Sequence, residues 1–536
     1  MTLRISDVRL GVDEPELRLP ERLAAVLGVA PGDLLRWRIL RKALDARDKD
    51  ALQFVYTAEV AVADEDKRLS ASSGRSFHRS VKVDRYEEEA FFIPPFGVKP
   101  LPHRPVVIGS GPGGLAAAWF LAEQGYRPLV LERGRAVRDR IHDVHAFDAG
   151  GAFDPESNYL FGEGGAGTFS DGKLTCRNSG PDVRRILQLF AECKGKPSVL
   201  YDARPHLGSN RLPAVVKALR RRVEALGGEV RFSCRVEDLD VADGQLRGLN
   251  TSSGYLPASV VLLAIGHSAR DTYEMLLRRG VPMVRKPFQL GVRIEHPQAT
   301  VNRVKYGATL LEQKIGAADY TLIAHGRHDL FSFCMCAGGY IMPSVSEPGA
   351  FCTNGMSLSK HDSPFANSGL VVTIPTEAFG GGSDVLAGVR LQQVYERRAF
   401  EVGRGAYLCP IQRATDFMAG RKTTDIPANS YPRGAVIASI AELVPPLVLE
   451  ALKHGLPILD RRWHGRFLPE ATLVGPESRG SAPVRIPRDD ATREAPGWEG
   501  LYPVGEGAGY AGGIVSAAVD GLRSAKAVTA KYAPLK

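Results

Sequence analysis

The stretch "PVVIGSGPGGLAAAWFLA", Pro105 to Ala122, constrains the fold more than any other part of the chain. It carries no charge over 18 residues, long enough in principle to cross a bilayer. Its first ten residues, however, include four glycines and two prolines, which a spanning helix tolerates poorly. The pattern reads instead as a buried strand (Val106 to Ile108), a tight turn and a helix from Leu115 to Gln124. A second strand, "PLVLERG", follows. Together they make a βαβ unit of about 30 residues, the building block of a parallel sheet.

The turn matches G-x-G-x-x-G through Gly109, Gly111 and Gly114. Alone the motif is weak, but here it sits between a strand and a helix, the context it requires. Gly109 permits the tight turn, Gly111 lets backbone approach a pyrophosphate, and Gly114 lets helix and strand pack closely. Gly113 belongs to the same turn. The helix start points free N–H groups and a partial positive charge at the phosphates. Glu132 ends the second strand 21 residues after Gly111. A carboxylate there accepts from ribose hydroxyls and repels a 2′-phosphate, so FAD or NAD is expected over NADP, with Arg133 beside it.

The chain has 536 residues, too many for a single core, and two to four domains are expected. Residues 1–95 read as a small α+β unit: "LRISDVRL", "LLRWRILRKAL" and "LQFVYTAEVAV" are strand-like, and "PERLAAVLGV" is a helix ending near Gly28. A linker with five prolines, "FFIPPFGVKPLPHRP", closes the unit. The expected division continues with a nucleotide-binding part over 103–286, an inserted β-rich substrate domain with few long helices over 287–470, and the C-terminal part of the nucleotide domain over 471–536. The net charge of +9 comes from scattered arginines, and without a basic tail a nucleic-acid partner is disfavoured. Seven sparse cysteines suit a reducing compartment, and "MTLRISDVRL" has no apolar signal core, so a cytoplasmic location without a membrane span is expected. Oligomeric state is not legible.

The choice between FAD and NAD rests on a second Gly-rich element, "VGEGAGYAGG" (Val504 to Gly513), far downstream and opening another helix. FAD is long, and in two-dinucleotide-type flavoproteins a C-terminal strand–turn–helix returns to hold its flavin end. Gly505, Glu506, Gly512, Gly513 and Ile514 are therefore expected at the cofactor, with Gly266 of "LLAIGHSA" at a third strand end. "GEGGAG" and "FGGGSD" give no second nucleotide domain, so either a substrate reduces the flavin directly or NAD(P)H binds transiently.

The set "FGEGGAGTFSDGKL", "ARPHLGSNRL", "LAIGHSARDTYEML", "KPFQLGVRIEHPQ", "SFCMCAGG", "TNGMS" and "VGEGAGYAGG" resembles the family of poorly characterised FAD-dependent dehydrogenases of bacteria and plastids. The resemblance spans nearly the whole chain. It implies a glutathione-reductase-type FAD fold: an α/β, Rossmann-like parallel sheet with an inserted β-rich domain and a small α+β N-terminal domain. It implies that Gly162 to Lys173 runs along the flavin, with Gly164, Gly165 and Thr168 in contact, and that the backbone of Val236 reads the adenine edge. It implies no substrate. The comparable segment of disulfide reductases carries C-x-x-x-x-C, whereas here Cys176 stands unpaired, which argues against thioredoxin or glutathione reductase activity.

Catalytic side chains are harder to name. Cys334 and Cys336 of "FCMCAGG" lack the partner cysteines of a metal site, so no metal is expected. In an extended strand both would face one side, into the core or onto a cavity. Lys173 and Asp171 flank the flavin-side loop, His267 follows a strand end, and Arg293 and His296 lie in "GVRIEHP"; a structural role competes at each. The expected function is a FAD-dependent oxidoreductase moving a hydride between flavin N5 and a small molecule. A tRNA-modifying flavoprotein and a FAD-dependent monooxygenase are the alternatives.

Overall fold

The computed structural model describes residues 2–72, 81–307, 312–380 and 382–535. Met1, residues 73–80 of the N-terminal unit, residues 308–311, Gly381 of "FGGGSD" and Lys536 lie outside the described residues.

The N-terminal strands Thr2–Gly11, Leu34–Asp45, Gln53–Val62 and Lys82–Tyr86 form an antiparallel sheet in the spatial order second, third, first, fourth. Alternation decides its faces: Leu3, Ile5, Tyr56, Ala58 and Val60 turn inward and pack with Leu19, Leu23 and Leu27 of the helix Leu19–Leu27. That helix stops at Gly28, which adopts a left-handed φ of 65°. The strand Leu34–Asp45 does not end at its own sheet. Lys42 N–H donates to Tyr201 O and Lys42 O accepts from Ala203 N–H, both at 2.8 Å, which ties the unit to the rest of the chain. The proline-rich linker also lies against other chain: Gly97 N–H donates to Thr529 O at 2.9 Å, and a Cβ at Gly97 would stand 2.1 Å from the Lys531 carbonyl carbon.

The nucleotide-type sheet has five parallel strands, in the order Leu501–Pro503, Val261–Leu263, Val106–Ile108, Leu129–Leu131 and Glu229–Arg231. Its central strands are uninterrupted apolar runs because both faces are covered. The helix Pro112–Glu123 is buried from Gly113 to Ala122, which explains why its sequence looked fit for a membrane. It packs against the C-terminal helix Ile514–Lys531 so closely that a Cβ at Gly521 would lie 1.9 Å from Gly113 O. Among the described residues no helix is long and apolar enough to cross a membrane.

Between the strands Val261–Leu263 and Leu501–Pro503 the chain builds a seven-stranded mixed sheet. The order is Ile323–Ala324, Leu330–Cys336, Phe365–Ile374, Phe288–Pro297, Thr472–Glu477, Cys409–Arg413, Ala435–Ile437. The insertion has two long helices, Ala387–Val402 and Pro446–Arg462, of 16 and 17 residues. One expectation changes here: the sheet runs past residue 470, because Thr472–Glu477 pairs with both Phe288–Pro297 and Cys409–Arg413. Val284–Arg285 pairs with Val484–Arg485 and closes the neck of the insertion.

Buried charge fastens the two parts together. Arg270, which opens the helix Arg270–Arg278 beside the nucleotide sheet, reaches Glu396 with both terminal nitrogens at 2.8 Å. Arg479 meets the same carboxylate at 2.9 Å, and Glu347 accepts from Arg270 at 2.8 Å. Burial by itself would raise Glu396, but the two guanidinium groups hold it well below the usual carboxylate range. Replacing a buried ion-pair partner strands the opposite charges, so Glu396→Ala is expected to cost about 3–5 kcal/mol, read as a lowered midpoint in urea unfolding. An unchanged midpoint would contradict the role of this network.

Candidate active site

The Gly-rich turn is shaped by contacts that admit no side chain. Gly109 has φ +98°, and its Cβ would stand 2.4 Å from Ala264 O. A Cβ at Gly114 would stand 1.9 Å from Gly109 O, and one at Gly113 would press on Ala517 O at 3.1 Å. At Gly111 the same construction meets nothing within 4 Å. Gly111 is also the helix N-cap, and no side chain satisfies the first N–H groups there.

Glu132 departs from expectation. Its carboxylate accepts from Ser110 N–H (2.9 Å), Ser110 Oγ (2.6 Å), Gly134 N–H (2.9 Å) and Gly162 N–H (3.0 Å). Those four donors fill a carboxylate's lone-pair sites, so Glu132 braces the turn and offers no free acceptor to a ribose. Arg133 is likewise engaged, paired with Glu156 at 2.8 Å and Asp271 at 2.9 Å and stacked over Phe161. Val236 opens the strand Val236–Ala242 with its side chain buried, beside Cys234, whose N–H donates to Glu132 O.

The loop from Phe161 to Leu174 is held from beneath. Arg140, fully buried, donates to Asn158 O, Gly162 O and Glu163 O. Glu163 accepts from Val137 N–H at 2.7 Å and Arg220 Nε at 2.8 Å. Thr168 was expected to touch a cofactor, but its hydroxyl donates to Glu163 O at 2.8 Å and the side chain is fully buried. The open positions are glycines: a Cβ at Gly165 would come 3.2 Å from Gly111 Cα, and one at Gly167 would lie 3.3 Å from Pro112 and 3.5 Å from Ile514. The loop thus lies across two helix starts.

The second of these starts belongs to Ile514–Lys531. Gly512 and the N-cap Gly513 are exposed, Gly512 N–H donates to Ser516 Oγ at 3.2 Å, and a Cβ at Gly512 would meet nothing within 4 Å. Gly505, at φ +73°, is fixed by its N–H to Asp520 at 2.7 Å. His267 lies 3.4 Å from Glu506 through Nδ1, while its buried Nε2 has no hydrogen-bond partner; Gly266 ends the adjacent turn at φ +67°.

Beyond Gly167 the same loop enters a polar cluster. Lys173 Nζ lies 3.3 Å from the buried Asp171 carboxylate. Ser357 Oγ donates to Asp171, and His206 Nε2 is 3.0 Å from Ser357 Oγ. His206 stacks on His361 with ring centres 4.0 Å apart, and the His361 ring is anchored at Ala337 O. Burial would raise Asp171, but Lys173 and the His206 and Ser357 hydrogen bonds hold it well below its ordinary range. Burial would lower Lys173, and Asp171 reverses that. Cys334 and Cys336 complete the cluster, though not as a regular strand. The register slips between Phe333 and Cys336 and Cys334 takes φ +44°, while the Cys336 thiol donates to Cys334 O at 3.3 Å. Cys336 is buried, whereas Cys334 is partly exposed. Arg293 is fully buried against Glu477, at 2.7 and 2.9 Å, and donates to Cys334 O at 3.3 Å. His296 Nε2 donates to Phe467 O at 2.8 Å among the rings of Trp463 and Phe467, away from this cluster. Sequence reasoning reached Lys173, Asp171 and the cysteines but not His206, Ser357 or His361, although "ARPHLGSNRL" and "TNGMS" contain two of them.

Comparison with known proteins gives the class. Residues 287–480 match the model of a FAD-dependent protein, C-terminal domain-like, residues 107–166 an NAD(P)-binding Rossmann-like domain, and residues 2–61 a domain of unknown function. A protein of Clostridium beijerinckii, itself uncharacterized, is 38% identical over 99% of both chains. The chain belongs to this family, and it is a FAD-dependent oxidoreductase. Among solved structures, L-proline dehydrogenase from P. horikoshii is 11% identical with a TM-score of 0.35, covering 81% of this chain and 94% of that one. Glycine oxidase from Bacillus cereus ATCC 14579 is 13% identical with a TM-score of 0.33 over the same shares. The open glycine positions at Gly111 and Gly512, each at the start of a helix, fit the phosphate and flavin ends of FAD. Gly111→Val should therefore fold with unchanged circular dichroism yet purify colourless, whereas Gly114→Ala should disturb folding itself. A yellow Gly111→Val protein would contradict the placement.

Proposed function

We propose that the enzyme oxidises or reduces a small molecule bound in the cleft between the loop Phe161–Leu174 and the inserted sheet, where Lys173, Asp171, His206 and Cys334 converge. One observation supports this above the others. The loop that lies across both helix starts carries Asp171 and Lys173 within six residues of Gly167, a reach of roughly 20 Å at most. FAD, held by the glycines around Gly111, Gly165 and Gly513, supplies a two-electron carrier that exchanges hydride at N5. The start of the helix Ile514–Lys531 offers N–H groups and the positive end of its dipole to negative charge at that end of the site.

The side chains divide the remaining work. Because the Ser357 hydroxyl donates to Asp171, His206 Nε2 donates to Ser357 Oγ, and Nδ1 keeps its lone pair. Nδ1 is buried with no other partner, and a substrate O–H or N–H seated against it would give up its proton there as hydride leaves. Lys173, a third exposed, orients a substrate oxygen, and Asp171 fixes the ammonium. Reduction by transient NAD(P)H remains a second entry for electrons. A cytoplasmic setting is supported by seven free cysteines. The tRNA reading is weakened by the N-terminal sheet, where Arg36 and Arg38 are already paired with Glu59 and Arg38 also with Glu88.

Anaerobic mixing with NADH, NADPH and a panel of small metabolites tests the proposal through bleaching of the flavin band. One donor should bleach it, and His206→Gln should slow that reduction about 100-fold or more while retaining stoichiometric FAD. An unaffected His206→Gln rate would remove the base, and bleaching by no member of the panel would count against a small-molecule dehydrogenase.

A further inference from the structure

A cavity lies behind the loop Phe161–Leu174. Leu115, Phe190, Leu207 and Leu219 line it and are buried, whereas Pro112, Gly167 and Ile514 line it and are half-buried, so it opens on their side. Phe190 comes from the helix Pro181–Glu192 and Leu219 from the helix Leu212–Ala225. The open end is where the loop crosses both helix starts. A Cβ at Gly167 would stand 3.3 Å from Pro112 and 3.5 Å from Ile514, so a larger side chain there would close it. The cavity is separate from the polar cluster. Leu174 N–H donates to Pro205 O at 2.9 Å, Leu207 N–H donates to Gly172 O at 3.0 Å, and Lys173 bridges His206 between them. Leu174 and Leu207 line the cavity, while Lys173 and His206 lie 3.3 and 3.6 Å from Asp171. One short ladder thus gives its apolar residues to one site and its polar residues to the other.

Size and chemistry select the guest. The centres of water-sized molecules have about 30 Å³ to occupy. A single water takes roughly 10–15 Å³ by that measure, so the space admits about two very small molecules and no metabolite ring. Water itself is disfavoured, because the surface of the cavity is wholly apolar and a buried water needs about two to four polar partners. What fits is a small neutral molecule that makes no hydrogen bonds and is held by dispersion contacts alone.

We propose that this cavity holds dioxygen and that dioxygen is an electron acceptor of the enzyme. This rests on FAD lying at Gly111 and Gly512 and is independent of the role given to the polar cluster. Dioxygen takes two electrons and two protons from the reduced cofactor and leaves as hydrogen peroxide, and the cofactor returns to its oxidised form. An apolar gas enters such walls without losing hydrogen bonds, whereas water would lose all of its own. The cavity therefore gathers oxygen beside the two helix starts and keeps water out. Because the ladder at Lys173 and His206 divides the two sites, a molecule in the polar cluster does not block the oxygen path.

Xenon shares the size class and apolar chemistry of dioxygen, so holoenzyme crystals under xenon pressure test the site without turnover. Xenon is expected between Phe190, Leu207 and Leu219; crystals with none there would overturn the proposal. The acceptor role is read on holoenzyme reduced by light, which needs no substrate, and then mixed with oxygenated buffer. The flavin band should return with one hydrogen peroxide formed per flavin. Val215→Ile and Val216→Ile each add one methylene to the cavity wall. Each should lower xenon occupancy and slow reoxidation by oxygen several-fold relative to reoxidation by ferricyanide, an anion that an apolar cavity excludes. Two variants are used so that loss of FAD from one leaves the other as the test. An oxygen-to-ferricyanide rate ratio equal to wild type in a variant that has lost xenon would overturn the acceptor role. Since neither measurement uses a donor molecule, an unaffected His206→Gln rate would leave this proposal standing, and failure here would leave the polar cluster as it was.

Discussion

The two large parts of this protein are held in one arrangement by a carboxylate that cannot leave its partners. Glu396 is fully buried between Arg270 and Arg479, one guanidinium from beside the nucleotide sheet and one from the end of the inserted sheet. Taking these charges from water is costly, and the cost is offset only when every partner is in place. The interaction therefore acts less as a source of stability than as a demand for one docking geometry. The polar cluster of Asp171, Lys173, His206 and Ser357 depends on that geometry, since its members come from both parts. Arg293 and Glu477 repeat the device inside the inserted sheet, directly behind Cys334.

Close backbone packing supplies the second constraint. Gly109, Gly114 and Gly521 each sit where a Cβ would fall within 2.4 Å of a carbonyl oxygen. These contacts draw the first strand, its helix and the C-terminal helix together, and the two helix starts meet at Gly167 of the loop. The glycines that stay open, Gly111 and Gly512, are those with room for a ligand. A single motif thus mixes two physical roles, packing and access, that identical letters cannot separate.

Much of the fold was legible. The βαβ unit, the strand pair of the N-terminal unit, the Gly28 stop and the returning C-terminal helix all follow from apolar periodicity and turn chemistry, and each is local. Other features were not. Glu132 reads as a ribose acceptor from spacing, yet Gly162, 30 residues away, helps fill its lone pairs. Thr168 reads as a contact residue, yet its hydroxyl closes its own loop. The strand Thr472–Glu477 reads as the start of the returning nucleotide domain, yet it lies at the centre of the inserted sheet. In each case the deciding partner lies far away in sequence or is a backbone group with no signature.

The sequence by itself determined the class of cofactor framework, because glycine spacing and apolar runs act over a few residues and leave few alternatives. It also placed Lys173 beside Asp171 and Cys334 near Cys336. Only the tertiary structure decided that these two pairs meet, that His206 and Ser357 join Asp171, and that the strand register slips between Phe333 and Cys336. The reason is physical. A backbone φ of +44° at a cysteine cannot be read from its neighbours, because it is imposed by Arg293, Cys336 and the sheet register around it.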